Sequence, residues 1–294
     1  MLTIFTTPKA FRDHVGVIQR NAIQSWTRLR PECEVILFGD DEGAAEAARE
    51  FGVRHEPEVR RNEHGTPFLN SMFERAQQIA RHPLLCYVNC DIMLTGDFLP
   101  AVKRVSSWRK LFLMVGQRRD VDITDPWDFA QPDWEERLRA TALERGERRP
   151  PNWIDYFVFP RGTCRNILPF VVGRPGWDNW LLWKAWSSRI PVVDASAGVL
   201  AVHQNHDYSH VPGGEKALRE GEEGRHNSKL AGGLWHLHSI AHATHRLNGN
   251  RVQYNWRHWL VLAGQDVEIT WGLVRAAPKA LRRIGALRRG SQGA

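Results

Sequence analysis

Asn89, Cys90 and Asp91 break an otherwise apolar run, LLCYVNCDIML, residues 84 to 94. A strand buried on both faces reads as a near-continuous hydrophobic stretch, and an unpaired ionised Asp within one is strongly unfavourable. Two readings satisfy this constraint. The strand stops at Val88 and leaves Asn89 and Asp91 at a sheet edge, or Asp91 has a cation. Both hold at once if a ligand lies just outside the carboxyl end of a strand in an open α/β sheet. A carboxylate placed there suits Mg2+ or Mn2+ carrying a diphosphate, since hard cations prefer oxygen ligands. Asn89, two residues earlier, suits a ribose hydroxyl or a phosphate. The competing use of Asn and Asp is to start a turn.

Three further groups carry potential chemistry. In VHQNHDYSH a strand over Val199 to Val202 delivers His203 to its end, with His206 and His210 following in a loop. Imidazole, carboxylate and phosphate together make a workable metal set; a polar loop satisfying backbone groups is the alternative. In GWDNWLLWKAW, Asp178 stands where a helix N-cap is expected, or serves as a general base between Trp177 and Trp180, whose faces suit sugar rings. The tryptophans at 177, 180, 183 and 186 do not form one stripe, because each three-residue step turns by about 60° on a helix; Trp183 and Trp186 are assigned to the core. Thr6, Thr7 and Lys9 follow the first strand and Asp40 and Asp41 the second, so one crevice can collect them. Asn70 and Ser71 lie in the first turn of a helix, whose N-terminus favours anions. His238, His242 and His245 share one helical face, but the glutamate of HExxH is absent, so a solvated or packed polar stripe is the better reading. Neither GxGxxG nor GxxxxGK[ST] occurs.

The elements that must position these groups alternate between strand and helix. LTIFTT is a strand, and His14 to Trp26 has helical spacing. EVILFGD is a second strand, and EGAAEAAREFG a helix closed by Gly52, where a C-terminal glycine belongs. Thr66-Pro67 reads as an N-cap followed by proline at the first helical position, opening a helix through Ala80. Leu84 to Val88 is the next strand. This order predicts an α/β fold with a mostly parallel central sheet flanked by helices. Residues 117–151, rich in Asp and Arg, predict one exposed helix after Pro132 between loops, a cover for a site. WIDYFVFPRG is a strand, GWDNWLLWKAW a helix and PVVDASAGVLAVH a return to strand. Asn205 to Asn227 reads as loop, and a C-terminal helical region follows.

With 294 residues and 42% hydrophobic content, the chain can bury a substantial core. No apolar run reaches the ~18 residues of a membrane-spanning helix. The N-terminus has no basic segment ahead of a long apolar one and reads as strand, not as a signal peptide. The 4 cysteines include no CxxC pair. On one strand Cys86 and Cys90 would stand roughly 13 Å apart, so a reducing, cytoplasmic setting is expected. Of the net charge of +7, six positive charges (Arg275, Lys279, Arg282, Arg283, Arg288 and Arg289) lie beyond Ile269 without an acid among them, which leaves +1 (7 minus 6) on the first 268 residues. A nearly neutral main body argues against a nucleic-acid binder. Leu281, Ile284 and Leu287 along one side, with arginines around them, form a basic amphipathic pattern suited to an anionic membrane surface, here the inner face of a membrane; a solvated terminal helix is the alternative.

In order, IFTTPKAF, a strand ending in GDD, TPFLNSMFERA and NCD resemble the GT-A nucleotide-sugar glycosyltransferases. DYFVFPRG, GRPGWDNW and VHQNHDYSH extend the resemblance over about the first 210 residues, toward the bacterial and plant nucleotide-diphospho-sugar transferases. The resemblance implies a GT-A domain over residues 1–262, with a nucleotide-binding half to about residue 116 and an acceptor half from 117, followed by the basic tail, 263–294. It implies a cation, Mn2+ or Mg2+, held by Asp91, the last position of a DxD-type motif whose first acid is replaced by Asn89. His203 matches the histidine that completes the metal shell, with His206 as its rival. Thr6, Thr7, Asp40, Asn70 and Asn89 are the nucleotide-side residues, a UDP-sugar being the default donor. Asp178 matches the base of inverting members, and Asp155, Trp177 and Trp180 the sugar or acceptor contacts. The implied activity is sugar transfer to a hydroxyl of a carbohydrate or glycoconjugate. The alternatives are a sugar nucleotidyltransferase, which would need a glycine-rich loop where TTPKAF stands, and a non-catalytic carbohydrate-binding protein, which would not need Asp91 or His203.

Overall fold

The computed structural model describes residues 1–206 and 214–265; the segment from Asp207 to Gly213, with His210, and the basic tail beyond residue 265 lie outside the described residues. The chain starts as expected. Strand β1 (Leu2–Thr6), helix α1 (Asp13–Thr27), β2 (Glu34–Phe38), α2 (Ala44–Glu50) and β3 (Arg54–Glu56) lead to α3 (Leu69–Ile79) and β4 (Leu84–Val88). Gly52, just past α2, has φ +62°, a left-handed position that an L side chain rarely adopts. One expectation about a helix start needs correction here. Thr66-Pro67 does not open α3: Pro67 bridges to Arg61 and Phe68 to Val171 as extended backbone, and α3 begins at Leu69. Proline biases its neighbourhood toward extended geometry as readily as it starts a helix.

After β4 come β5 (Ile92–Leu94), α4 (Phe98–Trp108), β6 (Leu113–Val115), β7 (Arg118–Val121), α5 (Trp134–Arg145), β8 (Glu147–Arg148), β9 (Tyr156–Pro160) and α6 (Trp177–Ser187). Then follow β10 (Val192–Asp194), β11 (Ala201–Gln204), α7 (Gly214–Glu220), α8 (Glu222–Ala231), two short 3-10 turns and the hairpin β12 (His245–Asn248) and β13 (Arg251–Tyr254). Among the described residues, nine strands form one sheet in the order β13-β12-β10-β6-β9-β4-β1-β2-β3, and four form a second, β5-β11-β7-β8. In the large sheet β1 runs parallel to β2 and β4, β2 to β3, and β10 to β6 and β12, whereas β9 is antiparallel to both β4 and β6. The mostly parallel sheet flanked by helices is therefore present. No helix among the described residues is long and apolar enough to cross a membrane.

Alternation along β4 shows how the sheet is covered on both faces. Cys86 and Val88 enter one core with Leu2, Ile4, Trp26 and Phe98. Leu85 and Tyr87 enter the other with Phe5, Phe73, Phe159 and Trp177. In that second core Phe73 stacks on Phe159 with centroids 5.5 Å apart, and Trp177 meets Tyr87 edge-on at 5.4 Å. Each such fully buried apolar side chain contributes roughly 1.5–3 kcal/mol, so the start of α6 is anchored directly behind the carboxyl end of β4.

Four further expectations are corrected. PVVDASAGVLAVH is not one strand: β10 belongs to the large sheet and β11 to the small one, with the chain turning through Ala195 to Leu200. Within residues 117–151 the helix expected after Pro132 is present as α5, but its flanks are not loops alone. They supply β7 and β8, and α5 packs Leu138 and Ala142 against Met93, Val121 and Val202. The described part of Asn205 to Asn227 is largely helical, as α7 and α8. His238, His242 and His245 do not share a helix; the first two stack with ring centroids 4.4 Å apart, and His245 lies in β12, so packing is their role.

Candidate active site

Antiparallel pairing with β9 ends at Val88, and Asn89 N–H still donates to Asp155 O at 2.9 Å. The chain turns through Cys90 and Asp91 and enters β5, in the other sheet. Asp91 therefore stands at the junction of the two sheets, at the carboxyl end of β4. The register of the small sheet then delivers the histidines. His203 on β11 lies beside Ile92 of β5 on one side and Asp120 of β7 on the other. Its Nε2 is 3.7 Å from Asp91 Oδ2, and His206 Nε2 is 3.3 Å from the same oxygen. One ligand atom from each of Asp91, His203 and His206 falls within 4.8 Å of the others. His206 is held close by its chain neighbours: Gln204 N–H donates to Asp91 O at 3.2 Å, and Asn205 N–H to Val121 O at 2.9 Å.

Asp91 Oδ1 is buried without a hydrogen-bond partner. Burial by itself would raise the Asp91 pKa, but His203, then His206 and Lys9, hold it well below the usual carboxylate range. A carboxylate oxygen with no donor, beside two imidazole nitrogens, fits a divalent cation. The donor set, one oxygen and two nitrogens, suits Mn2+ better than Mg2+, which prefers oxygen alone.

Asp91 and His206 line a cavity of about 390 Å³ that also takes in Thr7, Lys9, Asp41, Arg61, Thr66, Arg174 and Trp177, and His203 lies buried behind them. Lys9 lines the cavity; desolvation lowers its pKa, and the attraction of Asp91 opposes this. Arg61 bridges Asp40 at 2.7 Å and Asp41 at 2.8 Å. Arg174 pairs with Glu223 at the start of α8. Three cations thus stand around Asp91, two of them already paired with carboxylates. Arg61 and Arg174 were not singled out in the sequence; GRPGW carried the signal for the second, since a basic residue just ahead of a glycine-opened helix is placed to assist that helix's N-terminus.

The helix N-terminus at the cleft is that of α6, not that of α3. Gly173, Arg174 and Trp177 line the cavity, whereas Asn70 and Ser71 do not. Ser71 Oγ instead accepts from Arg60 N–H at 3.2 Å, and Asn70 Oδ1 is buried without a partner. Gly176 is the N-cap of α6 with φ +101°. Asp178 is thus the second residue of the helix and makes no side-chain cap, contrary to the N-cap position expected from sequence. Burial pushes its pKa up to about 7, with Asp155 adding to the effect and neighbouring backbone amides opposing it. Its Oδ1 is buried and unpartnered, and it does not line the cavity.

The remaining expected site residues are placed as follows. Thr7 lines the cavity and donates to Phe38 O at 3.1 Å. Thr6 Oγ1 is buried beneath it. Asp40 is exposed at the rim, engaged with Arg61. Asn89 lines the cavity, and its Nδ2 donates to Asp155 Oδ1 at 2.7 Å. Asp155 is 5% exposed, and Arg118 donates to its other oxygen at 3.0 Å, so both carboxylate oxygens are engaged below the cleft. Trp177 borders the cleft; Trp180 is buried against Phe170. Trp183 and Trp186 are half-buried against His236 and His238.

No protein-family profile matches the chain, and no curated protein matches it. Solved structures with a similar chain course include glucosyl-3-phosphoglycerate synthase from Mycobacterium tuberculosis in complex with Mg2+ and UDP, at 16% identity and TM-score 0.48, covering 79% of this chain and 78% of that one. The same synthase with Mn2+, UDP and glucosyl-3-phosphoglycerate aligns at 14% identity and TM-score 0.45, covering 79% of each. S. aureus TarS in complex with UDP-GlcNAc aligns at 11% identity and TM-score 0.33, over 41% of this chain and 35% of that one. At this level of likeness neither substrate nor mechanism transfers to this chain.

Proposed function

We propose that the protein is a metal-dependent glycosyltransferase of GT-A type, moving a sugar from a nucleotide diphosphate donor, UDP-linked by default, to a hydroxyl of a carbohydrate or glycoconjugate. The observation that carries this reading is Asp91. Its donor-free oxygen stands at the carboxyl end of a parallel strand, beside His203 and His206, in a cleft with three cations. Asp91, His203 and His206 would hold Mn2+ or Mg2+, and the bound ion supplies charge neutralisation for a leaving nucleoside diphosphate. Lys9, Arg61, Arg174 and the N-terminus of α6 surround the space where those phosphates would lie, and such preorganised charge acts where negative charge grows in the transition state. Thr7 and Asn89 offer hydrogen-bonding groups for the nucleoside side, with Thr6, Asp40 and Asn70 as its outer support. Trp177 presents the aromatic wall for a sugar.

Asp178 is the base of this scheme, accepting the acceptor's hydroxyl proton in a single, inverting displacement. A carboxyl with a pKa near neutrality is matched to that task, and Asp155 and Trp180 support the wall from behind. The acceptor half from residue 117 and a peripheral position on the inner face of a membrane belong to the same proposal. Tyr254, Trp256, Trp259 and Leu260 are all exposed beside Arg257, and interfacial aromatics with basic residues suit an anionic lipid surface.

The test is a panel of nucleotide sugars with Mn2+, read by thermal shift and nucleotide release, on wild type and Asp91→Asn. One donor should stabilise the wild type only with metal, and the variant should lose that stabilisation while keeping its own fold. Undiminished metal-dependent donor binding by Asp91→Asn refutes the assignment. Carbohydrate binding without any nucleotide or metal effect would point to a non-catalytic binding protein.

A further inference from the structure

We infer that Asp120 is a positioning residue that fixes the tautomer and orientation of His203, and that Arg118 holds it in place. The inference rests on the metal-site reading above and concerns residues that the sequence did not single out.

The pairing of β7 and β11 sets Asp120 directly beside His203, because parallel register places these two residues opposite each other. The two ring nitrogens of His203 face different carboxylates. Nε2 is turned to Asp91 Oδ2 at 3.7 Å, and Nδ1 to Asp120 Oδ1 at 3.4 Å. The second distance is long for a hydrogen bond, and Nδ1 is buried with no other polar partner among the described residues. A neutral imidazole has one N–H and one lone pair, and a carboxylate at one nitrogen draws the proton there. A proton on Nδ1 leaves the lone pair on Nε2, aimed toward Asp91 and His206. This is the arrangement in which a histidine can ligate a cation, with a carboxylate supporting its far nitrogen.

Asp120 is itself immobilised. It is 4% exposed, and accepts from Arg118 Nε at 2.7 Å, Arg118 Nη2 at 3.3 Å and Arg149 Nε at 2.6 Å. Arg118 and Asp120 are two residues apart on one strand and so share a face. The Arg118 guanidinium also lies over the Trp153 ring, 4.7 Å from its centroid. Its remaining arm donates to Asp155, which accepts from the Asn89 side chain. One buried guanidinium thereby positions both His203 and Asn89, through two different carboxylates. A pair serving only to hold the sheets together would need neither the cleft residue Asn89 at one end nor the imidazole at the other.

The test uses the full chain, labelled with 15N-histidine, at pH 8 without metal, together with Mn2+ binding followed by electron paramagnetic resonance without nucleotide. Wild-type His203 is expected as the Nδ1–H tautomer, a reading that needs no variant. Asp120→Asn should shift His203 toward Nε2–H and weaken Mn2+ binding on the order of 10- to 100-fold, and Asp120→Glu should restore part of both. An Nε2–H tautomer in the wild type, or unchanged tautomer and Mn2+ affinity in a folded Asp120→Asn protein, overturns the inference. Asp91→Asn, run in parallel, separates the two claims. Loss of Mn2+ binding there with no effect of Asp120→Asn removes only the role of Asp120, whereas a wild type that binds no Mn2+ removes the metal site while the tautomer still judges Asp120.

Discussion

Replacing Asp178 with Asn should make the protein more stable at alkaline pH and far slower as an enzyme. The carboxyl is moved from 3.8 to about 7, chiefly by burial. A folded-state pKa above the unfolded value means that the native state holds the extra proton between the two. Stability associated with this group is therefore fully present below 3.8 and is lost as pH rises through about 7. At 1.36 kcal/mol per pH unit, the displacement corresponds to about 4 kcal/mol as a ceiling. Asp178 is only half-buried as a whole residue, so about 2 kcal/mol is the better expectation after solvent screening. Asn has nearly the same shape and no charge, and it should recover this amount at pH 8.5 but almost none at pH 4. For a chain of this size that is a rise in Tm of about 4–8 °C at the higher pH only. The same variant should lose on the order of 10²–10⁴ in turnover with donor affinity retained, and the wild-type rate should climb through about pH 7 as the base loses its proton. Calorimetry or denaturant melts at both pH values, with turnover on the same preparation, decide the matter. An equal stability change at both pH values would refute the burial reasoning. Near-normal turnover would remove Asp178 from the catalytic list, and a product with retained anomeric configuration would discard the single displacement.

Lys9→Met should weaken UDP binding about tenfold, the loss of one charge-assisted contact, with a reduced salt dependence in titration calorimetry; unchanged affinity would place the phosphates elsewhere. Deleting residues 275–294 should abolish flotation with anionic liposomes and leave flotation with neutral ones at its basal level, and unchanged anionic binding would remove the tail as anchor. Chelation of the purified protein should eliminate donor-induced stabilisation, with Mn2+ restoring it more effectively than Mg2+, as the imidazole-rich ligand set requires; equal restoration by Ca2+ would argue for a looser, oxygen-only site.

The first strands and helices were legible because their signals are local. β1, β2 and β4 are short, mostly apolar runs, and Gly52 closes α2 with a left-handed φ of +62° that glycine adopts readily. Asp91 was legible for the opposite reason, as a charge where apolar side chains prevail. The start of α3 was misplaced because a Thr-Pro pair is compatible with both a helix start and extended backbone, and the bridges to Arg61 and Val171 made the choice. α7 and α8 read as loop because their residues are small, charged or glycine. Their helicity is supported by contacts distant in sequence, such as Asn227 with both the N–H and C=O of Val171, and Glu223 with Asn62 and Arg174.

The sequence by itself determined the α/β alternation, the break in the apolar run at Asn89 to Asp91, and the presence of histidines beyond a later strand, since each depends on side chains within a few residues of one another. Only the tertiary structure decided that β5 and β11 leave the large sheet to pair with each other, that α6 rather than α3 points its N-terminus at the cleft, and that Arg118, Asp120 and Asp155 gather behind it. Strand register joins Asp120 to His203 across 83 residues of chain. Such a pairing is selected by packing over the whole sheet, and no local pattern encodes it.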